Sequence, residues 1–395
     1  MVLMALALFL LGYLIGFVFF GPHGAFLGLI IASAIWIIMT LISFSGGDQI
    51  FLLASRAKPV THDVHPQLFN VVEEMAIAAS LPVPKVYIID DPAPNAFATG
   101  RKPETASIAV TAGLLGRLNR DELQGVVAHE MSHILHRDIL FVTLAGIMLG
   151  SIVLLSQVFL RGMFYSSMGG RRRYSSGSGD GGGAAMAVML LVAILAAILA
   201  PIFAYLLYFA LSRKREYLAD AGAARLTRYP EGLACALEKI ANDTSPQLAA
   251  ANKVTAPMYI ANPLKKKKGA KLSNLSSTHP PISERIKILR NMTHGAAFKD
   301  YAKAFTDVTK ARTVVPASAL SQKEDVALRL PGAPAKEKPT QKQQLRQIGD
   351  LMRTVNGFIF LTCLCGLKLK IPPNFKAEKV KCPKCSRILE LAKKK

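Results

Sequence analysis

His129, Glu130 and His133 stand together in "VVAHEMSHILHRD". On a helix, two histidines four residues apart share one face, so both imidazoles can converge on a single metal ion. Glu130, between them, then faces the place of a reacting water instead of the metal, and its carboxylate suits a general base. A catalytic zinc takes three protein ligands and keeps a fourth position open. His136 is one candidate for the third ligand, one turn beyond His133, but no GxxH continuation follows it. The better candidate is Glu216 in "SRKREYLADAGAARL", with Asp220 four residues later on the same face to accept a hydrogen bond from a ligand histidine. A second cluster lies near the end of the chain, where Cys363, Cys365, Cys382 and Cys385 flank Gly366 and Pro383. That spacing predicts a four-cysteine zinc ribbon of two short hairpins, although CxC replaces the commoner CxxC in the first knuckle. A disulfide pair or redox dithiol is the alternative, disfavoured on a reducing cytoplasmic side. Cys235 reads as a small buried hydrophobe.

These groups need elements that bring them together. Of the 395 residues 51% are hydrophobic, and mean hydropathy is positive, a balance that suits a membrane protein with a sizeable soluble part. Four uncharged runs, 3–20, 24–44, 139–160 and 184–211, are long enough or nearly so to cross a bilayer. The first lacks the charged start of a signal peptide, and only "GPHG" separates it from the second, so the pair reads as a tight helical hairpin. Pro201 lies inside the fourth run, where a kink is tolerated. Ile139 opens the third run just after His133, and Leu211 closes the fourth just before Glu216. At a rise of ~1.5 Å per residue, both ligand sets fall within ~10 Å of the same membrane face. The helix carrying the histidines begins with a capping box, Asn119 with Glu122.

Lys and Arg near the span ends, among them Arg56, Lys58, Arg137, Arg213, Lys214 and Arg215, favour a cytoplasmic location for the motif-bearing side. Arg171, Arg172 and Arg173 in a Gly/Ser loop on the opposite side count against it. The net charge of +22 is best matched by attraction to anionic lipid head groups, with nucleic acid a disfavoured partner.

The motifs "NAFATG" (95–100), "AHEMSHILHRD" (128–138), "REYLADAGAARL" (215–226), "MYIANPL" (258–264) and "STHPPISERI" (277–286) follow one another in this order. Taken together, they resemble the HtpX-like integral-membrane zinc metalloproteases, gluzincins related to the CAAX prenyl endopeptidases, over residues 1–292. The resemblance implies zinc ligation by His129, His133 and Glu216, with Glu130 as general base. It also implies that Asn95, Ala96 and Phe97 lie on an edge strand holding substrate backbone, and that His279 and Arg285 stabilise the oxyanion. Without it, Asn95 and His279 would be turn residues and Arg285 a surface charge.

The expected fold is a membrane α-helical protein with an α+β zincin-type catalytic domain, four transmembrane helices and the small zinc ribbon. The expected layout is a transmembrane hairpin (1–45), a first protease segment (46–138), the third and fourth membrane helices (139–212), a second protease segment (213–295), a linker (296–350) and the ribbon (351–395). The expected cofactors are one catalytic and one structural Zn²⁺. The expected activity is endoproteolysis of membrane or misfolded proteins at the cytoplasmic face of a prokaryotic plasma membrane, as quality control. The alternatives are a prenyl-protein endopeptidase and a non-catalytic adaptor using the ribbon. Retention of Glu130 with all three ligands argues against the adaptor.

Overall fold

The computed structural model describes residues 2–168, 182–244, 259–261, 279–321, 325–330, 340–375 and 377–391. The arginines at 171–173, the lysine run at 265–268 and the terminal lysines lie outside them. In chain order the first elements are α1 (Val2–Ala54), β1 (Ala57–Pro59), α2 (Pro66–Ala79), β2 (Lys85–Ile89), β3 (Ala96–Thr99) and β4 (Ser107–Thr111). There follow α3 (Ala112–Leu115), α4 (Arg120–Leu135), α5 (Asp138–Met168), α6 (Gly182–Thr227), α7 (Pro230–Ala241) and α8 (Ile282–Arg290). Last come α9 (Phe298–Thr309), α10 (Ala317–Leu320), α11 (Gln341–Val355), β5 (Ile359–Thr362), β6 (Lys368–Ile371), β7 (Lys379–Lys381) and β8 (Ile388–Glu390).

Three described helices are long and apolar enough to cross a membrane, over Val2–Leu41, Asp138–Phe164 and Ala187–Thr227. Four separate spans were expected; the first two form one helical element that is interrupted only at the "GPHG" turn. That element breaks at Gly21 (φ 70°, ψ −162°), a conformation glycine adopts without Cβ strain. Its halves then run back-to-back: a Cβ on Gly28 would lie 2.0 Å from the Gly12 carbonyl oxygen. Small residues permit this approach, which in lipid replaces the missing hydrophobic drive between helices. Gly28→Ala is therefore expected to cost about 1–3 kcal/mol through overpacking. Gly146→Ala, whose Cβ would meet nothing nearer than 3.9 Å, should leave thermal unfolding in detergent unchanged. The halves of α1 pack on α5 and α6. Met4, Leu8, Leu11, Met148, Ile152 and Ala197 fill the interior, while Leu6, Phe26, Ile30, Leu191 and Leu195 face outward, as a hydrocarbon surround requires.

The second core belongs to the catalytic part. Its sheet has the order β1-β2-β4-β3, with β2 parallel to β4 and the other pairs antiparallel. β3 is the edge strand, held in register by Ala96 opposite Val110 and Ala98 opposite Ile108. Leu68, Val72 and Met75 of α2 and Val126, Val127 and Met131 of α4 cover the sheet residues Ile88, Ile108 and Val110. The capping box forms as its residues predict: Glu122 N donates to Asn119 Oδ1 at 2.9 Å, and Asn119 N donates to Glu122 Oε2 at 2.8 Å. α4 ends at His136, and Arg137 takes a left-handed φ of 53° before α5 begins. α6, by contrast, runs unbroken from the apolar bundle through Glu216 and Asp220. It approaches α4 so closely that a Cβ on Gly222 would lie 2.1 Å from Ser132 Oγ.

The stretch 296–350, expected to be a linker with some helix, holds α9, α10 and α11 among its described residues. Phe298, Tyr301, Ala302 and Phe305 recur at helical spacing, and α9 buries Tyr301 and Phe305 in the catalytic core. Ile348 of α11 reaches the same core, against α3. Beyond it, β5–β6 and β7–β8 are the two antiparallel hairpins expected of the ribbon.

Candidate active site

α4 and α6 bring His129, His133 and Glu216 to one point, with one ligand atom from each within 4.8 Å of the others. His129 Nε2 lies 3.7 Å from Glu216 Oε2, and His133 Nε2 lies 3.5 Å from Glu216 Oε1. Ligand bonds of ~2.1 Å in a tetrahedral array place donor atoms ~3.4 Å apart, so the set fits zinc. The buried Nε2 of His129 and Oε2 of Glu216 make no hydrogen bond, which leaves both available to a cation. His136 does not join them. It caps α4, with Nδ1 2.8 Å from the Ser132 carbonyl.

Each histidine is backed by an aspartate, and each aspartate by an arginine. His129 Nδ1 is 3.0 Å from Asp220 Oδ1, and Arg285 grips Asp220 through Nε at 2.8 Å and Nη2 at 2.7 Å. His133 Nδ1 is 3.0 Å from Asp138 Oδ2, and Asp138 is ion-paired with Arg215. Such acceptors fix which ring nitrogen faces the metal. Asp220, expected from its spacing to accept from a ligand histidine, lies within 3.0 Å of His129 Nδ1. Asp138 is outside the sequence reading, although the need of His133 for an acceptor points to the nearest downstream carboxylate.

Glu130 is buried beside the two histidines, and its Oε1 has no hydrogen-bond partner. Burial pushes its carboxyl above the ordinary range, while His129 and His133 pull it partly back; the backbone of Ala98 on β3 bonds to it. The edge strand and Glu130 therefore meet at one place.

Asn95, Ala96 and Phe97 lie along that edge, and His279 and Arg285 lie across from it. All five are buried. Arg285 Nη1 stands 3.4 Å from Glu216 Oε2, so it backs the ligand set as well as Asp220.

The four ribbon cysteines form the other cluster, again with sulfur atoms within 4.8 Å of one another. Cys363 and Cys385 are 3.4 Å apart and Cys365 and Cys382 are 3.6 Å apart. These distances are too long for a disulfide and suit thiolates around a shared metal at ~2.3 Å.

A helix with HExxH beside an antiparallel edge strand, with a glutamate supplied by the later helix α6, defines a metallopeptidase. The particular lineage is explicit: the chain belongs to peptidase family M48, whose profile matches residues 63–293. It is 48% identical to the protease HtpX homologue of Dictyoglomus turgidum over 266 residues, 67% of this chain and 82% of that one. The HtpX homologue of Caldanaerobacter subterraneus is 45% identical over 292 residues, 74% of this chain and 93% of the relative. Among solved structures, S. mikatae Ste24p aligns at 20% identity with a TM-score of 0.36, covering 65% of this chain and 58% of its own. The chain is thus an integral-membrane metalloendopeptidase acting on protein or peptide substrates.

Proposed function

We propose that this protease is zinc-dependent and cuts membrane or misfolded proteins at the cytoplasmic face, as quality control. The observation that carries the reading is the convergence of His129, His133 and Glu216 around buried Glu130, on helices that adjoin or continue the apolar bundle. The proposed layout has four membrane crossings, counting each half of α1. The basic residues near the span ends support the cytoplasmic placement.

Zinc, when bound, supplies Lewis acidity, polarising the scissile carbonyl and lowering the pKa of water toward ~7. The chain does the rest. Glu130 accepts the proton of the attacking water at its carboxylate and returns it to the leaving amine nitrogen. Asp220 and Asp138 hold the two imidazoles in the tautomer whose Nε2 can bind metal. β3 offers an edge on which an extended backbone can pair. His279 and Arg285 are proposed to donate to the developing oxyanion.

Zinc stoichiometry on the detergent-solubilised full chain tests this, with casein cleavage assayed alongside. The wild type should bind two ions. Glu216→Ala should lose one ion and all cleavage, whereas full zinc and activity in that variant would refute the assignment. Cys382→Ala/Cys385→Ala should lose the other ion and keep casein cleavage, because the ribbon's sulfur cluster is separate from the catalytic ligands.

A further inference from the structure

The outer edge of β3 is occupied by the chain itself. Tyr259–Ala261 lies along it, and Ile260 N donates to the Ala96 carbonyl at 2.9 Å. Tyr259 packs edge-on against Phe97, with ring centroids 5.2 Å apart, while Ala261 pairs with Asn95. As residue numbers rise on this strap they fall on β3, so the strap runs antiparallel to the edge.

Its three consecutive carbonyls meet three side chains. His279 Nε2 donates to Tyr259 O at 2.5 Å, Arg285 Nη1 to Ile260 O at 2.9 Å, and Asn95 Nδ2 to Ala261 O at 2.9 Å. These are the three side chains read as contacts for the substrate backbone and its oxyanion. The same Arg285 nitrogen lies 3.4 Å from Glu216 Oε2, so a single guanidinium links the strap to the candidate ligand set. Tyr259, Ile260, His129 and Glu130 are each no more than 1% exposed, so the centre is closed to a peptide in this conformation.

Building on the protease reading, we propose that Tyr259–Ala261 is the resident occupant of the peptide-binding edge. An extended substrate strand binds by displacing it and taking over the donors of Asn95, His279 and Arg285. The exchange is feasible because an incoming backbone re-forms each hydrogen bond that the strap gives up, leaving little net change in pairing. It also defines the substrate class. Only a segment free to become extended can replace a strand, so unfolded polypeptide qualifies and folded surface does not.

Hydrogen–deuterium exchange on zinc-loaded Glu130→Gln, which binds without cutting, reads the displacement directly. An unstructured Leu/Phe-rich peptide at saturating concentration should speed exchange at residues 259–261 by at least about tenfold while protecting β3. Unchanged or slower exchange at 259–261 would overturn the proposal, and so would failure of the peptide to bind. Kinetics give an independent arm. Ile260→Ala weakens seating of the strap and raises the competent fraction, so KM for the same peptide should fall at least about threefold with kcat little altered. Ile260→Val should lie between that variant and the wild type. A rise in KM or a loss of kcat would mark the strap as a permanent part of the site. Casein cleavage by the zinc-loaded wild type separates the two ideas: cleavage with a fixed strap sinks displacement alone, and no cleavage sinks the protease reading.

Discussion

Glu130→Gln is expected to lower casein hydrolysis by ~10²- to 10⁴-fold while zinc content stays at the wild-type value. The two halves of that result have different origins. The amide is nearly isosteric with the carboxylate, and Glu130 is not among the three groups that converge to hold a metal, so the ligand set is untouched. What disappears is, among the described residues, the only buried carboxylate beside the histidines that has an oxygen free of any hydrogen bond and is not itself a proposed ligand. Equal loss of zinc and activity would show that Glu130 serves the metal directly, and the assignment of the base would have to move.

The second large effect is on stability and metal affinity together. Asp220→Asn keeps the shape of the side chain but removes the charge that Arg285 faces at 2.7 Å, with both residues fully buried. Stranding a buried guanidinium in this way costs about 3–5 kcal/mol. The neighbouring Glu216, 3.4 Å from Nη1, compensates only in part because it is itself needed as a ligand. The variant also loses the carboxylate that orients His129, so zinc affinity should drop by about 10- to 100-fold. Thermal unfolding with and without zinc, and competition with a chromogenic chelator, measure the two effects separately. An unchanged melting profile would show that the buried pair contributes nothing to stability.

The parts of the site legible in the sequence are those that helical periodicity controls. His129 and His133 four apart, Glu216 and Asp220 four apart, and the placement of both pairs next to apolar runs point to His129, His133 and Glu216 as a candidate ligand set without coordinates. Asp138 escapes that logic because it lies past the left-handed break at Arg137, where spacing no longer fixes direction. The strap escapes it for a different reason: the hydrogen bond from Asn95 to Ala261 joins residues 166 apart, and no local pattern encodes such a partner. Asn95, His279 and Arg285 entered only through family resemblance. The fold gathers them around one backbone segment, a relation that neither composition nor spacing expresses. α9 is the converse case, since its apolar stripe is present in the sequence but sits among lysines in a region whose overall composition suggests a tether.

α6 carries the proposed metal ligand Glu216 on the same continuous helix as the apolar span, whereas α4 is separated from α5 at Arg137. Glu216 lies fifteen residues beyond Pro201, which at 1.5 Å each is a lever arm of ~22 Å. A tilt of about 5° at the proline, of the size by which helices adapt to bilayers of different thickness, swings the end of that arm by ~2 Å. Metal–ligand distances tolerate only about 0.2 Å. The position of Glu216 is therefore geometrically coupled to the tilt of the apolar span at Pro201.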